Sequence, residues 1–281
     1  MVGCFDFSRV GKEIKKLRLS QGLSQKELFH GILSQSGLSK IENGDTNMQA
    51  KTLFLIADRL GKDVNYFYQI AATERLEYID NLITQMNAAR KNKDYKKLAK
   101  LVKTAKATTL YQATDHYRQY LLWNEALAIY FVDHSYEKSL QLLTQALQVT
   151  HKSGTIYHER EIHILASLAC IKLDSGERQA AYEIYQHCLS SINKLGILHD
   201  VHLKTQLFHS LACAKLEDHK YEDCVYYCEL GIHWCVEHES LFLLKDFYAL
   251  LCKVYEHLGE TALAQQFRDG FRLFMNLGSN I

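Results

Sequence analysis

The residues best suited to chemistry lie in one short stretch, Ser34-Gln-Ser-Gly-Leu-Ser-Lys-Ile-Glu-Asn-Gly44. Spaced at helical intervals, Gln35, Ser36, Ser39, Lys40 and Asn43 present amides, hydroxyls and an ammonium outward, with only Leu38 and Ile41 as aliphatic anchors. Gln and Asn amides match the edge of adenine, and Lys reaches guanine or phosphate. A second cluster, Cys224, Cys228, His233 and Cys235, has the ligand types for zinc. Its C-x3-C-x4-H-x-C spacing is not a common structural zinc pattern, and Cys224 and Cys228 fall one helical turn apart, where Cys packs as a small apolar residue. No H-E-x-x-H, G-x-S-x-G or Gly-rich phosphate loop is present among the 281 residues. No enzyme, metal or cofactor is therefore expected.

Elements that could position the stretch are legible around it. Val10, Ile14 and Leu17 mark one face of a helix from about Ser8, which Gly22 ends. Ser24-Gln-Lys-Glu27 forms a capping box and opens a helix of barely two turns, ending near Gly31. Ser34 caps the next helix and Gly44 closes it. A fourth helix spans about Ala50–Leu60, and Asp63 caps a fifth carrying Val64, Phe67 and Tyr68. Two short helices across a tight turn in a small helical domain are a helix-turn-helix, whose second helix enters the major groove of double-stranded DNA. On that reading Ser34, Gln35, Ser36, Ser39, Lys40 and Asn43 face DNA. Gln25 suits a phosphate through its side chain and the helix N-terminus, and Lys12, Lys15, Lys16 and Lys26 suit the phosphate backbone.

Composition supports two parts. Forty-seven per cent apolar residues, 23% charged and no proline indicate a globular chain of uninterrupted helices. The net charge of +1 hides an asymmetry. Residues 1–70 hold ten Lys/Arg against seven Asp/Glu, residues 88–106 eight against one, and residues 107–281 fourteen against twenty-one. A basic front and an acidic back suggest that the front meets a polyanion. No run reaches the roughly 18 apolar residues of a membrane span, the N-terminus lacks a signal-peptide core, and the eight cysteines follow no disulfide spacing, so a cytoplasmic protein without membrane contact is expected.

Thr73–Ala89 reads as a connecting helix with Leu76, Ile79, Leu82, Ile83 and Met86 inward. Beyond it a unit recurs at about 39–43 residues: 94–106, 135–147, 177–189, 220–232 and 260–271. Further helices precede the later copies, at 117–132, 163–176, 207–219 and 247–259; Ser167-Leu-Ala-Cys-Ile-Lys-Leu173 against Ser210-Leu-Ala-Cys-Ala-Lys-Leu216 is the clearest match. Helix pairs with small residues at the crossing describe tetratricopeptide-type repeats, which stack into a grooved superhelix. The expected fold is all-α: a five-helix domain over 1–70, a connecting helix over 71–90, and an α-solenoid of about five helix pairs over 91–281.

The N-terminal stretch resembles the helix-turn-helix family of phage and bacterial repressors, which has an Arg in helix one, Ser-Gln at helix two, and then S-x-I/L-S-x-I-E-x-G. Here these are Arg18, Ser24-Gln25 and Ser36–Gly44. The resemblance implies that Arg18 and Glu42 form a structural ion pair. Joined to the repeats, this domain is similar to the peptide-regulated quorum-sensing transcription factors of Gram-positive bacteria, the PlcR type with Rgg-type relatives. The helix-turn-helix turn, one residue shorter than in generic repressors, Tyr66-Phe67-Tyr68, Leu121-Leu122-Trp123 and Tyr136-Glu137 carry that similarity.

The similarity implies a homodimer, an operator with two-fold symmetry, and a short signalling peptide in the repeat groove. Lys91-Asn92-Lys93-Asp94-Tyr95-Lys96 resembles the family's K-x-K-x-Y-K segment, whose leading lysines hold the peptide, which points to Lys91 and Lys93. The same basic run is also compatible with a solvated face or a DNA-backbone patch. Where the family clamps the peptide backbone with Asn, this chain has Ala166 and Ser210; Ser210 can donate one hydrogen bond, and Asn124 beside Trp123 is a partial substitute. His163 either points into the groove or is a satisfied polar residue. The alternatives are a ligand-independent repressor and a protein-binding adaptor.

Overall fold

A computed structural model describes residues 6–32, 35–71, 74–107, 114–152 and 156–279, and every regular element among them is helical. For residues 35, 36, 38, 69, 74–77, 80 and 275–279 the description is of the backbone alone. The chain divides into two compact units, Met1–Tyr117 and Arg118–Ile281.

In the first unit α1 (Phe7–Ser20) starts where Asp6 Oδ1 accepts the Ser8 amide at 2.9 Å. It ends at Gly22, whose φ of +71° is the left-handed conformation that glycine adopts without penalty. The predicted capping box opens α2 (Gln25–Phe29): Glu27 N–H donates to Ser24 Oγ at 3.2 Å, and Ser24 N–H to Glu27 Oε2 at 2.7 Å. Next come α3 (Gln35–Asn43), α4 (Ala50–Arg59) and α5 (Val64–Ala71), with Asp63 Oδ1 accepting the Asn65 amide at 2.6 Å. Val10, Ile14, Leu28, Phe29, Ile41, Ile56, Leu60 and Phe67 form one core. The side chains of Ile14, Leu28, Ile56 and Phe67 are wholly buried; at about 1.5–3 kcal/mol each they contribute roughly 6–12 kcal/mol of gross burial.

The helix expected as a connector is α6 (Glu74–Lys91), and it packs along α7 (Tyr95–Lys106). Ile79, Leu82, Met86 and Ala89 of α6 are buried, as are Leu98, Val102 and Ala105 of α7, so α6 is the first member of a helix pair.

The remaining pairs are α8 (Asp115–Ala128) with α9 (Tyr136–Thr150), α10 (Glu159–Asp174) with α11 (Arg178–Ile192), α12 (Val201–Glu217) with α13 (Tyr221–Glu237), and α14 (Leu244–His257) with α15 (Thr261–Ser279). A π-helical turn, Ile129–Asp133, extends α8. A left-handed residue closes the first helix of every pair: Lys93, His134, Gly176, His219 and Gly259, at intervals of 41, 42, 43 and 40 residues. At four of these turns the next amide reaches back five residues, as in Asp94→Ala89 at 2.8 Å and Lys220→Lys215 at 2.9 Å, which satisfies the last carbonyls of the helix. The second helix starts two residues after each left-handed position. Close crossings depend on small residues: a Cβ on Gly231 of α13 would lie 2.1 Å from the Phe247 ring of α14.

Cys224, Cys228 and Cys235 are buried in the core of the last repeats, as their helical spacing predicts. The His233 side chain is 71% exposed and pairs with Glu237 at 3.2 Å. Among the described residues no helix is long and apolar enough to cross a membrane, and no three His, Cys, Asp or Glu side chains are grouped to hold a metal ion.

Candidate functional site

The geometry of the first unit centres on Arg18. Its guanidinium donates from Nε to Glu42 Oε1 at 2.6 Å and from Nη2 to Glu42 Oε2 at 3.0 Å, the bidentate fork expected of Arg with a carboxylate. Its Nη1 donates to the Leu23 carbonyl at 2.9 Å. Both residues are buried, Arg18 6% exposed and Glu42 2%. Burial pushes the Glu42 carboxyl up, but the Arg18 and Gln25 hydrogen bonds outweigh it and hold its pKa below the ordinary 4.5. Glu42 is therefore scaffold, as the repressor resemblance implies.

Two further contacts fix α3. Gly11 of α1 touches the backbone of α3, since a Cβ there would stand 1.8 Å from the Ile41 carbonyl oxygen. Gln25 Nε2 donates to Glu42 Oε2 at 2.7 Å. That bond changes the expectation for Gln25: the side chain is tied into the ion pair, and the helix N-terminus carries the remaining case for a phosphate there. Sequence reasoning missed Arg59. Its Nη1 donates to the carbonyls of Leu28 at 2.8 Å and His30 at 2.9 Å, capping the end of α2. A basic residue in the last turn of α4 was the visible signal, but its partner lies thirty residues away.

Opposite this anchored side, Ser39, Lys40 and Asn43 are exposed on α3. Lys26 is exposed on α2, and the Lys16 side chain is 76% exposed on α1, 3.4 Å from Glu13. Ser34 and the side chains of Gln35, Ser36 and Leu38 lie outside the described residues.

Lys91, the last residue of α6, and Lys93, at a φ of +57°, are both exposed in the first unit. The other ligand candidates lie in the second unit. Asn124 is 0% exposed and donates from Nδ2 to the Tyr120 carbonyl of its own helix at 2.8 Å. This corrects the expectation of a ligand contact: an amide sealed inside the helix stack offers nothing to an open surface. His163 is half-buried; its Nε2 is 3.0 Å from Asp200 Oδ2, and its ring stacks on Trp123 at 5.6 Å. The His163 contact, against the opposing effect of burial, holds the Asp200 carboxyl below its ordinary range. Trp123 Nε1 donates to Ser167 Oγ at 2.9 Å, so Trp123, His163, Ser167 and Asp200 link α8, α10 and the start of α12. Ser210, half-buried on α12, lies beside the buried Tyr185.

An anchored helix-turn-helix followed by stacked helix pairs defines a repressor-type regulator with a repeat-built C-terminal region. Comparison with known proteins agrees. A helix-turn-helix profile matches residues 14–67, and the profile of the RNPP family C-terminal domain matches residues 83–279. No curated protein sequence matches the chain. Solved structures do. PlcR of Bacillus thuringiensis in complex with the peptide PapR7 and DNA is 22% identical, covers 97% of each chain and superposes with a TM-score of 0.80. The apo form of that PlcR is 21% identical over 96% of this chain and 94% of its own, with a TM-score of 0.67. ComR from S. thermophilus, in complex with DNA and its signalling peptide ComS, is 16% identical over 96% and 94%, with a TM-score of 0.61. These likenesses show the fold. The chain belongs to the RNPP family, the peptide-regulated helix-turn-helix regulators of Gram-positive bacteria.

Proposed function

We propose that the protein is a cytoplasmic transcriptional regulator that binds a two-fold symmetric operator as a homodimer and responds to a short signalling peptide. The carrying observation is the seating of α3: the buried Arg18–Glu42–Gln25 network locks one side to α1 and α2, leaving Ser39, Lys40 and Asn43 outward. Rigid presentation of amides and hydroxyls is what base-edge readout requires. In this reading residues 1–70 read DNA, 71–90 connect, and 91–281 sense the peptide and dimerise. Ser34, Gln35 and Ser36 join Ser39, Lys40 and Asn43 at the bases; Lys16, Lys26 and the amide end of α2 at Gln25 meet phosphates.

Lys91 and Lys93 are candidates for neutralising a peptide carboxylate; His163 and Ser210 are separate candidates for ligand contacts within the repeats of the second unit. The peptide acts by population shift, binding one dimer geometry better than the other. No catalytic step belongs to this reading. Fluorescence anisotropy on a duplex from upstream of the protein's own reading frame tests it. Salt-dependent, sequence-selective binding that a peptide encoded beside the gene alters is the expected result. Absence of selective binding rejects the DNA reading in favour of a protein-binding adaptor, and selective binding indifferent to peptide favours a ligand-independent repressor.

A further inference from the structure

The basic face of α7 has no explanation in the packing of the repeats. Its twelve residues contain Lys96, Lys97, Lys100, Lys103 and Lys106 and no acidic residue. None of the other four second helices, α9, α11, α13 and α15, holds more than two Lys or Arg. All five lysines are exposed, and the helix buries Leu98, Val102 and Ala105 on its other side. No carboxylate among the described residues pairs with Lys96, Lys97, Lys100 or Lys103 within the 4.0 Å of a salt bridge. Lys96–Lys100, Lys97–Lys100, Lys100–Lys103 and Lys103–Lys106 stand three or four residues apart, so each pair repels along the helix surface. Lys96 and Lys97 also occupy the first turn, where the helix dipole disfavours a cation. A face kept only for solubility would mix signs, as the other repeats do. This one retains its own repulsion, which a polyanion would relieve.

We infer that the row Lys96–Lys100–Lys103 is a second DNA contact, binding phosphates of the duplex outside the bases read by α3. The inference rests on the DNA-reading proposal above. Two observations select duplex DNA as the occupant. The row belongs to the same compact unit as the helix-turn-helix. That unit carries nineteen Lys/Arg against twelve Asp/Glu, a net of +7, whereas Arg118–Ile281 carries fourteen against twenty, a net of −6. The dimensions fit. Seven residues of helix span about 10 Å, and one DNA strand offers a charge about every 3.4 Å of axis, so about three phosphates lie within reach of the row.

Lysines on phosphates add affinity without sequence preference, and each neutralised phosphate contributes about 0.9 to the slope of log K against log salt. The test is anisotropy of the full-length protein on its selected operator at several salt concentrations, comparing wild type, K96Q/K100Q/K103Q and K96R/K100R/K103R. The Gln variant is expected to lower the magnitude of the slope by about 2–3, with the preferred sequence unchanged, and the Arg variant to keep the wild-type slope. An unchanged slope in the Gln variant, with wild type still selective, overturns the inference and leaves the DNA reading standing. Lysine-dependent capture on phosphatidylserine vesicles with an unchanged slope also overturns it and assigns the row to a membrane surface. No selective binding by wild type overturns both. Coincident far-UV circular dichroism and tryptophan emission of the three proteins establish that the variants are folded.

Discussion

Replacing Glu42 with Ala should destabilise the DNA-reading domain and leave the stability of the second unit unchanged. The Arg18 side chain is 8% exposed and its carboxylate partner 1%. Removing Glu42 takes both carboxylate bonds from a buried guanidinium that keeps its bond to the Leu23 carbonyl, and takes the acceptor of Gln25 as well. Breaking a buried pair from one side costs about 3–5 kcal/mol. A domain of some 70 residues has about 3.5–10 kcal/mol of stability to lose, by the usual 0.05–0.15 kcal/mol per residue. A loss of 3 kcal/mol alone lowers the midpoint of so small a domain by about 12–24 °C. The two tryptophans make the assay selective, because Trp123 and Trp234 both lie beyond residue 117. Circular dichroism follows both units, tryptophan emission only the second. Glu42→Ala should move an early dichroism transition down and leave the emission transition in place. Arg18→Met combined with Glu42→Leu should recover most of the loss, since well-packed apolar replacements of buried pairs are near neutral. The sign in pH follows from the lowered carboxyl: Glu42 stabilises the fold above its unfolded value of about 4.3, and that contribution disappears as pH falls through the lower folded value. The double variant should therefore lose less stability on acidification than wild type. A Glu42→Ala protein whose dichroism transition stays within 0.5 kcal/mol of wild type, the usual range of surface changes, would refute the reasoning.

Other consequences are as direct. Gly11→Ala places a Cβ 1.8 Å from a backbone oxygen that has no side chain to move aside; it should cost about 1–3 kcal/mol or more in the dichroism transition and weaken operator binding. His219→Gly relieves a φ of +57° and should raise the urea midpoint read by tryptophan emission by an amount equivalent to about 1 kcal/mol, with Gly176→Ala at φ +86° shifting it the other way. Lys91→Ala with Lys93→Ala should weaken a peptide encoded next to the gene by about tenfold or more in calorimetry, since a hydrogen bond to a charged group is worth about 1.5–3 kcal/mol; unchanged affinity discards the role.

Much of the architecture was legible because local chemistry repeats. The Ser24–Glu27 capping box, Gly22 and Gly44 after their helices, and the recurring second helices all announce themselves within a few residues. What failed was information held by distant partners. The apolar face of α6 shows in its spacing, but not that α7 covers it. The left-handed turns at Lys93, His134 and His219 carry no glycine, and only their alignment with Gly176 and Gly259 reveals the shared conformation. Asn124 is a polar residue in an apolar helix, and sequence alone does not say that it faces inward. Gln25 suits a phosphate when only its neighbours are considered, because the carboxylate that takes its amide is seventeen residues away. On α3 the core and the ion pair set one side, and Ser39, Lys40 and Asn43 are exposed on the other, an arrangement that the apolar spacing of the helix already suggests.

The most direct measurement is selection of the full-length protein on a randomised duplex library, run in parallel with Asn43→Ala and Lys40→Ala. Enrichment of a two-fold symmetric sequence is expected, with half-sites about one helical turn or a whole multiple of it apart. Each substitution should relax the preference at specific base positions, by about 1–3 kcal/mol for a lost bidentate contact. No enriched sequence, or one that both substitutions leave untouched, would show that α3 does not read DNA.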